Sequence, residues 1–398
     1  MKLCTVGGYG ACQYTLECLC RAVRGVGRMT GARSEGPYAG TAPVAVEEKP
    51  QSGARPRRVV WELTRACNLT CRHCRTVTCP APTGKDLSTD QVVRVIEDIA
   101  SVARPTFVFT GGEPLKRPDL FTIAAHASQH GAVVVLETNA TMITAEAAAF
   151  LRTCGVAAVH VALDGATAET HEEFRDIPGA WAAAWRGIAH LKAVGLPFHL
   201  KFTIGVHNRD QVPAMLRLAE QEGAAGVHLC ARMPAGCGIR LERDERLSPE
   251  EMEALLGWLS ASFERTTVAV QATCAPQFHR VLRQQGGAAV VERQREQAHA
   301  VVGGGCSAAT QGCFIAHDGQ VQPCRHLPLP VGHVLQQRFQ EIWEHALLLR
   351  QLRDRDLLGG KCGECGYRGA CGGCRARAYE AYGFPLAQDP SCPYEPGD

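Results

Sequence analysis

Cys67, Cys71 and Cys74 place three thiols within eight residues, in the spacing C-x3-C-x2-C. They follow at once on the apolar run Val59-Val60-Trp61-Glu62-Leu63. A loop that tight can aim three sulfurs into one small volume, which suits an iron–sulfur cluster held by three thiolates. A four-iron cluster so held keeps one iron open for another ligand. A closed zinc site would want a fourth protein ligand at similar range, and buried free thiols are the plainer alternative.

Two further constellations carry chemistry. About forty residues on, Thr110-Gly111-Gly112-Glu113-Pro114-Leu115 is a turn. Its glycines can take positive φ and let backbone approach a ligand. Glu113 offers an acceptor for an ammonium group, and Pro114 stiffens the exit. Near the C-terminus stand Cys306-x6-Cys313-x10-Cys324, then Cys362-x2-Cys365-x5-Cys371-x2-Cys374, then Cys392. Eight thiols suffice for two fully ligated four-iron clusters, although paired C-x2-C units also occur in zinc ribbons.

The elements that must position these residues alternate in type. Short β-rich runs at 59–63, 106–110, 132–137, 157–163, 199–206 and 226–231 are separated by helical patterns at 118–130, 144–153, 180–194, 211–221 and 248–263. A further helix opens at Ser88 or Thr89, and Ser248-Pro249-Glu250-Glu251 is a strong helix start. Six strand–helix repeats predict an α/β fold, a partial (β/α)6 TIM-like barrel with right-handed crossovers. In such sheets chemistry gathers at the C-terminal strand ends, where the motifs fall.

The expected divisions are an N-terminal extension over 1–55, the barrel over 56–265, a helical linker over 266–305 and a cysteine-rich auxiliary domain over 306–398. The last is short of long apolar runs, so metal centres should staple it. Cys4, Cys12, Cys18 and Cys20 in the extension, and Cys79, match no recognisable site.

Composition narrows the class. The chain has 398 residues, 45% hydrophobic and 21% charged, with a net charge of +2. That balance gives no global pull toward nucleic acid or anionic membranes. No apolar run is long enough to span a bilayer. Twenty cysteines without a secretion signal point to metal binding in a cytoplasmic, oxygen-sensitive protein, expected to be a monomer.

The three-cysteine loop and the Gly-Gly-Glu-Pro turn together resemble the radical S-adenosylmethionine (SAM) superfamily. The resemblance implies a [4Fe–4S] cluster on Cys67, Cys71 and Cys74 whose open iron is chelated by the methionine part of SAM. It implies that Gly111, Gly112, Glu113 and Pro114 contact the methionine amino group. Reductive cleavage of SAM then gives a 5′-deoxyadenosyl radical that takes hydrogen from substrate. His73 stands where relatives usually carry an aromatic near the adenine. Asn139 matches a ribose-binding position, and Asp164 a position of cofactor or substrate contacts; either could instead be a turn-forming residue. Ala162 stands where many relatives have serine.

The C-terminal cysteines resemble the SPASM extension, with C-x2-C where C-x3-C is usual. Carried over, Cys306, Cys313, Cys324 and Cys374 would hold one auxiliary [4Fe–4S] cluster, and Cys362, Cys365, Cys371 and Cys392 a second. A single auxiliary cluster is the alternative. Gly312-Cys313-Phe314-Ile315-Ala316-His317-Asp318-Gly319, Gly360-Lys361-Cys362-Gly363-Glu364-Cys365, Cys371-Gly372-Gly373-Cys374-Arg375-Ala376-Arg377 and Ala272-Thr273-Cys274-Ala275-Pro276 are similar to the tetrapyrrole-modifying branch, haem b synthases above all.

That likeness implies oxidative decarboxylation of two propionates of iron-coproporphyrin III to vinyls, with electrons drawn from a reduced flavodoxin or ferredoxin-type donor. Arg65, Arg175, Lys201, Arg232 and Arg325 are the candidate partners for substrate carboxylates, and His279 a candidate ligand for substrate iron. The rival readings are didecarboxysirohaem deacetylation or a related haem d1 step, peptide modification or maturation, and a non-catalytic iron–sulfur electron carrier.

Overall fold

A computed structural model describes residues 55–71, 74, 86–233, 245–262, 265–286 and 304–397. The extension over 1–54, His73 and Cys79 lie outside the described residues.

Ten strands form one sheet in the order β10-β9-β8-β1-β2-β3-β4-β5-β6-β7. The six expected strands are present as β1 (Arg58–Glu62), β2 (Thr106–Thr110), β3 (Val133–Thr138), β4 (Val156–Ala162), β5 (Phe198–Ile204) and β6 (Gly226–Ala231), each parallel to its neighbour. A seventh, β7 (Ala269–Thr273), pairs parallel with β6. The helical linker expected over 266–305 therefore begins as a strand, followed by the short helix Phe278–Gln284. Only one of its five residues, Val270, is fully buried, so the apolar signal was weak.

The auxiliary segment is not a separate body beside the barrel. Its strand β8 (Gly312–Ile315) pairs parallel with β1, and β9 (Gln320–Gln322) and β10 (Gly332–His333) extend that edge antiparallel. Phe314, Phe339, Ile342, Trp343, Leu349 and Leu352 are buried. Apolar burial, and not metal alone, holds this segment to the barrel.

Strand alternation divides the sheet into two faces. Trp61, Phe107, Phe109, Leu136, Val161, Leu200 and Phe202 pack with the apolar stripes of the helices, such as Val92, Val95, Ile96 and Ile99. The opposite, inner face carries Glu137, His160, His199, Lys201 and His228. Helix starts follow the sequence rules. Ser88 Oγ accepts from Gln91 N at 3.3 Å while Gln91 Oε1 accepts from Ser88 N at 2.8 Å, a capping box for Thr89–Val102. Ser248 and Glu251 cap Pro249–Ser262 in the same way.

Candidate active site

The three-cysteine loop leaves β1 and lies against the Gly-Gly-Glu turn after β2. Gly112 N donates to Thr64 O, and Glu113 N to Ala66 O, each at 2.8 Å. A Cβ on Gly112 would stand 2.5 Å from Ala66 O, and one on Gly111 2.5 Å from Thr64 O. These glycines are required by contact with the cysteine loop's own backbone. Neither adopts the positive φ that the sequence suggested. Arg117 locks the junction from below, donating to Leu63 O at 2.7 Å and Leu87 O at 2.8 Å.

Glu113 is fully buried and braces β3 against the turn. Its Oε1 accepts from Thr138 Oγ1 at 2.8 Å and Leu115 N at 3.1 Å, and its Oε2 from Asn139 N at 2.9 Å. A carboxylate has about four acceptor positions, so Oε2 keeps room for one more donor. Burial raises its pKa, opposed by the Asn139, Leu115 and Thr138 hydrogen bonds and by Arg175. Pro114 opens a short 3-10 turn over Pro114–Lys116 with Glu113 as its cap. Asn139 closes an Asx turn, its Oδ1 accepting from Thr141 N at 2.9 Å, while its Nδ2 donates to Asn68 Oδ1 at 3.0 Å. It thereby ties the end of β3 to the cysteine loop.

Cys71 is buried, and its Sγ accepts from Arg175 at 3.5 Å. Arg175 in turn pairs with Asp164 at 2.6 Å and donates to Ala162 O at 2.9 Å. Asp164 Oδ1 also accepts from Thr203 N at 2.9 Å. Asp164 thus acts at one remove, by aiming Arg175. Against the burial that would lower it, Asp164 and Cys71 hold the Arg175 pKa up. Burial raises the Cys71 and Cys67 pKa values, and in both cases the neighbouring thiols of the loop raise them further. All three are free cysteines. Three thiols gathered on one short loop, one of them beside the Arg175 guanidinium, are the donor set an iron cluster needs. The residues present fit a three-thiolate cluster.

The downstream thiols divide into two cavities. One is lined by Cys274, Cys306, Cys324 and Cys374, with Arg58 and His279 at its wall. The other is lined by Cys362, Cys365, Cys371 and Cys392, beside Arg280 and Lys361. Cys313, assigned to the first set from sequence, is absent from it. It pairs in register with Val59 and faces the apolar, helix-packed side of the sheet, where burial pushes its pKa up to about 12. Cys274, which follows β7 with φ of 59°, takes its place. Its pKa is well above the usual thiol range through burial and the nearby Cys374, Cys230 and Cys324.

The shortened C-x2-C interval is resolved by Gly372 and Gly373, both at positive φ, which send Cys371 and Cys374 to different cavities. Gly305 binds the two loops together: a Cβ there would lie 2.2 Å from Cys371 O. Asp389 anchors Cys374 N at 2.7 Å and pairs with Arg377 at 2.8 Å. Backbone donors reach Cys365 Sγ from Tyr367 at 3.4 Å and Cys362 Sγ from Asp389 at 3.3 Å.

Most of the cations proposed for substrate already have anionic partners. Arg175 is held by Asp164, and Arg232 by Glu245. Lys201 and Arg325 share a single carboxylate, Glu137, at 2.8 and 2.9 Å. Against burial, those two cations hold the Glu137 pKa well below the carboxylate range. The helix Ala168–Arg175, which delivers Arg175, was not foreseen, although Thr167 and Glu169 give it a start signal.

Comparison with known proteins accounts for this arrangement. Residues 61–219 match the radical SAM superfamily, and residues 306–366 an iron–sulfur cluster-binding domain, SPASM. An AdoMet-dependent heme synthase of Methanosarcina barkeri is 39% identical over 343 residues, 86% of this chain and 97% of that protein. The chain belongs to the radical SAM superfamily. An Fe-coproporphyrin III synthase of the same organism is 32% identical, over 84% of this chain and 87% of that protein. The solved structure of native anSMEcpe with bound AdoMet shares the fold, with a TM-score of 0.63 and 16% identity over 84% of this chain and 93% of that one. Such an enzyme works with SAM and a [4Fe–4S] cluster, and its SPASM segment with auxiliary iron–sulfur clusters. Among the described residues, no helix is long and apolar enough to cross a membrane.

Proposed function

We propose that this radical SAM enzyme decarboxylates two propionates of iron-coproporphyrin III to vinyl groups, giving haem b. The observation that carries the reading is the 39% identity to a heme synthase across 97% of that protein's length. The two four-thiol cavities agree with it, because each propionate carboxylate must surrender a hydrogen atom, CO2 and one further electron, and that electron needs an acceptor.

In this reading Cys67, Cys71 and Cys74 hold the SAM cluster, with the three protein sulfurs leaving one iron to SAM. Cluster and SAM together supply the 5′-deoxyadenosyl radical. Glu113 Oε2 receives the methionine ammonium, and Arg175 supports the buried Cys71 thiolate. Cys274, Cys306, Cys324 and Cys374 hold one auxiliary cluster; Cys362, Cys365, Cys371 and Cys392 hold the other. Lys201 and Arg325, two cations on one carboxylate, are the best placed to receive a substrate propionate. A flavodoxin or ferredoxin-type protein supplies electrons.

Anaerobic incubation with iron-coproporphyrin III, SAM and a reductant tests the reading by mass analysis. Each of two propionates should lose CO2 and two hydrogens, with 5′-deoxyadenosine formed in step. An unchanged porphyrin beside turnover of didecarboxysirohaem would replace this assignment with the deacetylase.

A further inference from the structure

His160, His199 and His228 lie on three adjacent strands and point to the same inner face of the barrel. Their register makes this unavoidable: His160 pairs with His199 across β4 and β5, and Lys201, two residues on, pairs with His228 across β5 and β6. One ring nitrogen from each lies within 4.8 Å of the others. None of the three belongs to the thiol cavities or to the SAM turn.

The ring geometry is that of imidazoles gathered about a point. Centroids are 5.1 Å apart for His160 and His199, 5.1 Å for His199 and His228, and 4.2 Å for His160 and His228. Three imidazoles bound to a tetrahedral ion at about 2.0–2.1 Å place their centroids about 5 Å apart. Two of the three separations already fit, and the third needs to open by about 1 Å. The pairs are tilted or edge-on, at 48°, 64° and 86°.

An unsatisfied ring nitrogen favours a ligand role. The buried His160 Nδ1 has no hydrogen-bond partner, an orphaned donor or acceptor in a site where water or an ion would satisfy it. The surrounding charge is mixed: Glu137 is anionic, while Lys201 and Arg58 are cationic. Two nearby cations disfavour hard ions that bind through charge alone and leave those with strong nitrogen affinity.

We propose that His160, His199 and His228 form a binding site for one divalent transition ion of the zinc class, with its fourth position open to the barrel interior. Three imidazole nitrogens, beside a Glu137 carboxylate already held by Lys201 and Arg325, select against calcium and magnesium, which take oxygen ligands. The site is distinct from the iron–sulfur centres and does not depend on which tetrapyrrole the enzyme takes.

The full-length chain, with its clusters reconstituted anaerobically, is incubated with zinc chloride, desalted and assayed for zinc and iron. The wild type should retain about one zinc per chain beyond that of a His160→Ala variant. His228→Gln, which keeps most of the side-chain volume, should lose zinc at least fivefold while its iron content stays at the wild-type value. X-ray absorption at the zinc edge should show three nitrogen ligands at about 2.0 Å and no sulfur. Equal zinc in wild type and His228→Gln, sulfur in the zinc shell, or less than a tenth of a zinc per wild-type chain would each overturn the proposal.

Discussion

Arg175 reaches across 104 residues of sequence to donate to the Cys71 sulfur at 3.5 Å. The same guanidinium is held by Asp164 at 2.6 Å, with side chains 7% and 1% exposed. Breaking one side of so buried a pair strands the other charge. Arg175→Ala should therefore destabilise the enzyme by about 3–5 kcal/mol. Asp164→Asn combined with Arg175→Ala should cost less than the two single changes summed. Chemical denaturation of the four proteins checks this; strict additivity would mean that the pair is not coupled.

Gly112→Ala should act on the radical-generating site alone. The new methyl would meet Ala66 O and Arg65 O at 2.5 and 2.6 Å, both backbone atoms that cannot rotate away. The cysteine loop must shift. SAM cleavage should fall at least a hundredfold, because misplacement by about 1 Å costs that much, while iron in the two downstream cavities is retained. Iron analysis and 5′-deoxyadenosine assay separate the two effects.

Cys274 lines the cavity in the place that the SPASM resemblance gives to Cys313. Cys274→Ser should lower iron by about four per chain, one cluster's worth. Cys313→Ala should leave iron unchanged and cost only about 1 kcal/mol for its vacated volume in the apolar core. Should Cys313→Ala lose a cluster while Cys274→Ser keeps all, the cavity assignment fails.

Glu137 gives the inner face a signed pH dependence. Its folded pKa lies well below 4.5, the unfolded value, despite burial, because Lys201 and Arg325 hold the anion. Its stabilisation is present above pH 4.5 and is lost as pH falls through the folded pKa. Glu137→Gln should flatten that acid limb in denaturation curves taken at successive pH values. It also leaves Lys201 and Arg325 with no carboxylate, so substrate affinity should change by tenfold or more; unchanged affinity would remove both cations from the substrate site.

Much of the fold was legible because strand and helix periods are local properties. The six barrel strands, the Ser88 and Ser248 caps and the placing of motifs at strand ends needed no tertiary information. The strand Ala269–Thr273 escaped notice because its residues are mostly half-buried, and the helix Ala168–Arg175 because its mean polarity hides a short buried face of His171, Phe174 and Arg175.

By itself the sequence determined the chemistry of the first loop: three thiols at C-x3-C-x2-C can converge over a few residues whatever the rest of the chain does. Only the tertiary structure showed why Gly111 and Gly112 must be small, because the atoms that crowd them, Thr64 O and Ala66 O, belong to a different strand's exit loop. Only the tertiary structure decided which four thiols share a cavity, because Cys274 and Cys306 are brought together through pairings of β6 with β7 and β1 with β8. It alone decided that Arg175 serves Cys71, that Glu137 holds two cations, and that three histidines meet inside the barrel. Those are contacts between distant strands, set by register and sheet order, and spacing along the chain carries no record of either.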